Sequence, residues 1–201
     1  MSGDTHAAVG AAVSGVVAVS LSNLLSIPTS KESLFIGMVI GAVGGLFPDL
    51  DSKKSKGNKL INKELSVIIP IALCLCILIY LGKFKFNDLG ISTEQLISAV
   101  VFLGIALFAR TRPHREFTHS FLVCAITTAC VYVCISSTAW IWFGVGYLSH
   151  LAIDYPNEKG ESLLWPLPSK FCLHLCSSSG IANKVCRYAG LLLATVIIII
   201  G

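Results

Sequence analysis

Histidine and aspartate side chains occur at the ends of several apolar stretches of this chain. The segment RPHREFTHSF, residues 112–121, holds two histidines, two arginines and a glutamate directly before an apolar run. Similar groups occur in LFPDLD at 46–51 and in SHLAID at 149–154. Imidazole and carboxylate are the ligands that divalent transition metals take. The pattern therefore predicts a metal site assembled from several helix ends.

The predicted ligand set contains histidines and aspartates from four separated places in the chain. Its members are His6, Asp49, Asp51, His114, His119, His150 and Asp154. His150 and Asp154 are four residues apart, so both project from one face of a helix. Seven such groups exceed one tetrahedral site, which predicts either two metals or one metal with a second shell and a general base. Asp51 is the predicted general base if it is not itself a ligand.

A metal at this place would have a clear chemical use. It lowers the pKa of a bound water and takes up charge on an ester or phosphoryl oxygen. A phosphate substrate would also need cations, and Arg112 and Arg115 are the nearest in sequence, with guanidinium groups suited to phosphate oxygens. Arg115 is the predicted catalytic arginine. The alternative for both arginines is a role in membrane topology.

The composition places these groups in a membrane protein. The chain has 201 residues, of which 54% are hydrophobic and 13% are charged. An ordinary soluble domain carries about 25% charged residues. The mean hydropathy of +0.78 and the recurring aliphatic runs predict an integral membrane protein. We expect a single membrane-embedded hydrolase-like domain over residues 1–201.

The apolar runs predict an all-α fold, a polytopic bundle of about seven transmembrane helices. A span needs about 20 apolar residues. The predicted spans are roughly 7–27, 34–47, 65–82, 95–109, 118–136, 138–153 and 187–200. Three of them are short, so six or eight crossings are the alternatives. In the second span, Gly37 and Gly41 have the spacing that permits close helix packing.

The basic residues predict the orientation. All Lys and Arg except Lys31, Lys83 and Lys85 fall on the side that holds the histidines and aspartates. Positive charge resists translocation, so we expect this active face to be cytoplasmic. The basic stretch KKSKGNK at 53–59 is interpreted as a topology determinant, and no nucleic-acid partner is expected.

As an ordered set, the motifs resemble a known family. THAAVG, LFPDLD, HREFTHS and GYLSHLAIDYPNEKGESLLWPLP are similar to segments of the bacterial inner-membrane metal-dependent hydrolases, the YdjM-like family. The resemblance runs from Thr5 to about Gly180 and implies a hydrolase whose His and Asp positions match the predicted ligand set. The chain departs from the family at Glu116 and in PNEKG, at 156–160, which we expect to affect substrate contacts.

These observations favour hydrolysis of an ester or phosphoester in a lipid or lipid-linked substrate. Zinc is the expected ion, with manganese and iron as alternatives, in one or two copies. A metal transporter would need polar groups at mid-span, and no Asp, Glu or His lies there. A non-catalytic scaffold with a structural metal stays open, as do protein partners. GESLLWPLP, at 160–168, is either an interfacial anchor or the rim of a pocket over the metal.

Overall fold

The protein is all-helical in the residues that its computed structural model describes: 1–25, 27, 29–52, 90–135, 138–178 and 180–200. The elements are α1 (Gly3–Leu25), α2 (Lys31–Leu46), a 3-10 helix (Phe47–Asp51), α3 (Thr93–Ala109), α4 (Phe121–Cys134), α5 (Ala139–Asp154) and α6 (Ile181–Ile200). This part of the chain contains no strand, only two isolated β-bridges. The predicted span 65–82 and the basic stretch 53–59 lie outside the described residues.

The lengths of the helices correct the predicted number of spans. Three segments are long and apolar enough to cross a membrane, namely Gly3–Ser22, Lys31–Asp51 and Ile181–Ile200. The helix α4 has 14 residues, and at 1.5 Å per residue it reaches about 21 Å, short of a hydrocarbon core of about 30 Å. The described residues therefore indicate fewer spans than the seven predicted, because some apolar runs form helices too short to cross.

Close packing among α1, α2 and α5 forms the centre of the bundle. A Cβ atom at Gly41 would lie 2.0 Å from Ser14 Oγ of α1, and one at Gly146 would lie 2.0 Å from the Gly41 carbonyl oxygen. A Cβ at Gly37 would collide with the Trp142 ring at 2.1 Å. The prediction that Gly37 and Gly41 permit close packing is confirmed. These contacts bring the N-terminal end of α1 beside the C-terminal ends of α2 and α5.

An aromatic cluster supports the 3-10 helix that follows α2. The Phe47 ring lies 5.0 Å from Phe102 of α3 and 5.8 Å from Tyr147 of α5, between ring centroids. Pro48 sits at the first turn, where its missing N–H is tolerated. The cluster buries Phe47 and so turns the segment that carries Asp49 and Asp51 toward α5.

The segment after α5 folds back onto the loop before α4. Glu161 and Phe171 exchange backbone hydrogen bonds of 2.9 Å in both directions. Ser162 N donates to the Arg115 carbonyl at 3.1 Å, and Phe121 N donates to the Leu163 carbonyl at 3.0 Å. These bonds hold residues 161–163 against residues 115–121, and so place them beside the predicted ligands.

Candidate metal centre

The structure brings the predicted ligands from four places in the chain into one buried cluster. His6, His119 and His150 are fully buried, and Asp49, Asp51 and Asp154 are at most 8% exposed. His114 differs, because its side chain is 40% exposed. Ionisable groups are costly to bury unless they are paired or bind a metal. The packing of α1 on α2 and α5 therefore buries several ionisable side chains together, at a position where apolar side chains would cost less free energy.

His150 is oriented by the helix that faces it. Its Nδ1 lies 2.7 Å from the Gly45 carbonyl oxygen of α2. A carbonyl only accepts, so Nδ1 carries the proton and Nε2 keeps its lone pair for a ligand. That Nε2 lies 3.2 Å from His119 Nε2 and 3.9 Å from Asp49 Oδ1. An imidazole fixed through one nitrogen with the other directed inward is the usual arrangement of a metal ligand.

His6 provides the test of whether a metal fits. Its ring is stacked on His150 with centroids 3.6 Å apart. Neither of its ring nitrogens makes a hydrogen bond within the described part of the chain, although Nε2 lies 3.2 Å from Asp154 Oδ1. A buried polar atom without a partner is costly, commonly by about 1–3 kcal/mol. A divalent cation between Nε2 and the Asp154 carboxylate would remove that cost, so the residues present fit a metal.

Asp51 connects the buried cluster to the surface. Its Oδ1 is hydrogen-bonded to His114 Nδ1 at 2.6 Å, and its Oδ2 accepts a bond from Arg115 N at 3.1 Å. Oδ2 also lies 3.0 Å from Thr118 Oγ1 and 3.5 Å from His119 Nδ1. Burial of the His114 ring opposes its protonation, but the hydrogen bond to Asp51 and the negative charges of Asp51 and Asp49 together raise the pKa of His114. Asp51 thus contacts two of the four histidines of the predicted set, His114 and His119.

Arg115 is directed into the cluster. Its Nη2 donates to Asp154 Oδ2 at 2.6 Å, and its Nη1 donates to the Lys159 carbonyl. The Met1 ammonium and Asn157 Nδ2 contact the other oxygen of Asp154. Arg115 has a positive φ of 69°, a costly conformation for a side chain other than Gly that often marks functional sites. The structure therefore places the predicted catalytic arginine against a carboxylate.

Four groupings of three side chains each have one ligand atom per residue within 4.8 Å of the others. They are His6–His150–Asp154, Asp49–His119–His150, Asp51–His114–His119 and His119–Asp154–Glu161. Two ligands of one zinc ion, at bond lengths of about 2.0 Å, lie about 3.3 Å apart. The groupings are therefore close to coordination distance, and the buried His and Asp side chains can hold a metal.

Glu161 is a member of the cluster that the sequence analysis missed. It is fully buried, and both of its carboxylate oxygens lack a hydrogen-bond partner within the described residues. Burial, followed by the charge of Asp154, raises the pKa of Glu161 to about 9. The available signal was an acidic residue directly before the apolar run SLLWPL, at 162–167. The prediction for this segment was an interfacial anchor or a pocket rim, which gives its carboxylate no role.

An open cavity of about 510 Å³ lies beside the cluster. Its described lining is Asp51, Ser52, Arg110, Thr111, Arg112, Pro113 and His114. The lining thus includes the exposed His114 ring and Asp51 from the cluster together with Arg112, whose guanidinium lies over the Phe108 ring at 5.6 Å. Arg112 lies in this cavity and, as an arginine, is not part of the ligand cluster.

The helical fold and the buried cluster define an integral membrane protein with a candidate metal centre. The chain belongs to the YdjM inner membrane protein family, which matches residues 1–201. This match confirms the family predicted from the motifs and the location in the inner membrane. No curated protein and no solved structure matches the chain.

Proposed function

We propose that this chain is a single-domain, metal-dependent hydrolase of the inner membrane. Its substrate is a lipid or a lipid-linked molecule, and the bond cleaved is an ester or phosphoester. The observation that supports the proposal is the buried meeting of His6, His150 and Asp154, in which His6 has no hydrogen-bond partner among the described residues. A cluster of this kind is unfavourable without a cation and favourable with one.

The cavity favours catalysis over a purely structural metal. A structural zinc site is closed by four protein ligands, whereas a catalytic site keeps a position for water or substrate. Here the exposed edge of His114 and the carboxylate of Asp51 border a cavity open to solvent. Asp51 Oδ2 also lies 3.5 Å from His119 Nδ1, so Asp51 links the cavity to the buried cluster. A substrate group in the cavity would therefore lie next to the buried cluster.

When bound, a divalent cation supplies Lewis acidity and lowers the pKa of a neighbouring water. The Asp51–His114 pair would then act as the base, with Asp51 holding the ring and His114 receiving a proton at its exposed nitrogen. Arg115 pairs with Asp154 and holds its carboxylate in place. Arg112, in the lining of the cavity, would attract an anionic head group.

Zinc is the ion we propose, because imidazole with a few carboxylates suits it, while manganese and iron accept the same donors. The predicted orientation, with several spans and the cluster on the cytoplasmic side, belongs to the same proposal. It is tested by placing a cysteine at exposed position 158 in a background without the native cysteines. An impermeant thiol reagent should label this cysteine only in opened membranes.

The decisive experiment measures metal content and lipid turnover together. Purified wild type, His150→Ala and Asp154→Ala are analysed for bound metal, and each is incubated with membrane lipids whose products are identified by mass spectrometry. His174→Ala is the matched control, because His174 is exposed and outside the cluster. If both cluster variants lose metal and product while His174→Ala keeps them, the result supports the hydrolase. Metal without any product in the wild type would instead indicate a structural centre.

A further inference from the structure

Glu161 is the strongest feature of the cluster that the proposed hydrolytic centre leaves unexplained. A charged carboxylate without a partner is among the most costly groups to bury. The position of Glu161 is well defined, because its backbone makes two hydrogen bonds to Phe171. The fold thus holds a carboxylate at a position where the described residues offer it no donor.

The side chains next to Glu161 are a histidine and an aspartate, both common metal ligands. An oxygen of Glu161 lies within 4.8 Å of ligand atoms of both Asp154 and His119. The cations that approach this part of the cluster are the Met1 ammonium and Arg115, and both of them contact Asp154. Neither forms a hydrogen bond with Glu161. These two cations therefore neutralise Asp154 and leave the adjacent Glu161 carboxylate without a hydrogen-bonded cation.

The four groupings cannot all be filled, because they share residues. An imidazole nitrogen binds one cation, whereas a carboxylate can bind two cations through its two oxygens. His6–His150–Asp154 and His119–Asp154–Glu161 share only Asp154, so both can be filled if that carboxylate forms a bridge. Asp51, 3.5 Å from His119 Nδ1, then orients His119 in the way that carboxylates orient ligand histidines.

We propose that Glu161 is a ligand of a second divalent cation, which it holds together with His119 and Asp154. This inference rests on the proposed function, because the first cation is the one assigned there to His6, His150 and Asp154. Asp154 bridges the two ions, and Glu161 binds only the second. Two adjacent cations here would stabilise both the attacking and the leaving oxygen of a displacement at phosphorus, so this inference favours a phosphoester over a carboxylic ester as the substrate.

The test is metal stoichiometry. Wild type, Glu161→Gln and Glu158→Gln are purified in detergent, loaded with zinc, desalted and analysed for zinc per polypeptide by mass spectrometry. Glu158 is an exposed carboxylate three residues away and serves as the matched control. We expect two equivalents in wild type and in Glu158→Gln, and one in Glu161→Gln. Loading with manganese should give spin-coupled ions by electron paramagnetic resonance in wild type and isolated ions in Glu161→Gln.

Each outcome separates this inference from the proposed function. If wild type holds two equivalents and Glu161→Gln also keeps both, Glu161 is a neutral or water-bonded acid and only this inference is overturned. One equivalent in wild type also overturns the second position, whatever the variant holds. A wild type without metal overturns both proposals. If Glu161→Gln fails to fold, Glu161→Asp, which keeps the charge but withdraws the oxygens, should bind the second equivalent at least tenfold more weakly by calorimetry.

Discussion

The Nε2 atoms of His119 and His150 lie 3.2 Å apart, although the two residues are separated by 31 positions in the chain. Both rings are fully buried. Because His150 Nδ1 is engaged by a carbonyl, Nε2 of His150 is left as an acceptor toward His119. The arrangement we propose assigns His150 to the first cation and His119 to the second, so this pair lies where the two metal positions adjoin.

Replacing His6 by Leu should affect the metal-free and the metal-loaded protein in opposite directions. His6 has no hydrogen-bond partner among the described residues, so its removal should leave the chelated protein as stable or more stable, by up to about 1–3 kcal/mol. The same change should abolish the stabilisation that zinc gives to wild type. Thermal unfolding in detergent, with zinc and with chelator, measures both effects.

His150→Leu is the control for that experiment. It breaks the hydrogen bond from Nδ1 to the Gly45 carbonyl, so we expect lower stability with and without zinc. An equal loss of stability in chelated His6→Leu and His150→Leu would show that the 3.2 Å approach of His6 Nε2 to Asp154 Oδ1 is a stabilising ion pair and not two arms of a metal site.

Asp51→Asn should separate catalysis from metal binding. The variant keeps the size of the side chain but weakens its bond to His114, and general-base assistance is commonly worth about 10²–10⁴-fold in rate. We expect lipid turnover to fall by that factor while the zinc content stays unchanged. Asp4→Asn is the control, because Asp4 is half-exposed and pairs with Arg187 away from the cluster. Loss of zinc together with turnover would mean that Asp51 instead binds the metal or holds His119 in place for it.

Gly146→Ala should loosen the central packing of the bundle. Its Cβ would lie 2.0 Å from the Gly41 carbonyl oxygen, so α2 and α5 must separate, at a cost of about 1–3 kcal/mol. Gly104→Ala is the matched control, since a Cβ at Gly104 meets nothing within 4 Å. There we expect no loss, and a gain of up to about 1 kcal/mol from reduced backbone freedom. Thermal unfolding compares the two, and equal midpoints would refute the close approach.

Chelation should make the stability depend on pH through Glu161. Burial and the charge of Asp154 raise its pKa from 4.5 to about 9 in the folded protein. The folded state then binds more protons than the unfolded state between these values, so stability falls as pH rises from about 5 to about 9. Chelated Glu161→Gln should lose this component of the slope. Identical pH profiles for chelated wild type and Glu161→Gln would contradict it.

Much of the local structure follows from short-range patterns in the sequence. Apolar runs gave most helices within a few residues of their limits, and the glycine spacing of α2 indicated its packing face. The number of spans was overestimated, because hydropathy counts apolar residues but does not show where a helix ends. α4 begins only after Ser120, which accepts a bond from Val123 N, and it ends at Cys134. The physical length of each helix thus depends on caps that hydropathy does not weigh.

The candidate site likewise depends partly on the sequence and partly on the tertiary structure. The sequence by itself determined which chemical groups are available, because histidines and aspartates near the ends of apolar runs can be identified directly from it. Only the tertiary structure decided that Asp51 faces His114, that Arg115 turns inward to Asp154, and that Glu161 is buried without a partner in the described chain. The reason is physical. Ligand geometry is set by contacts between distant segments, here the approach of α1, α2 and α5. The glycine spacing of α2 indicates that a helix packs closely there, but it does not show which helix packs or in which register.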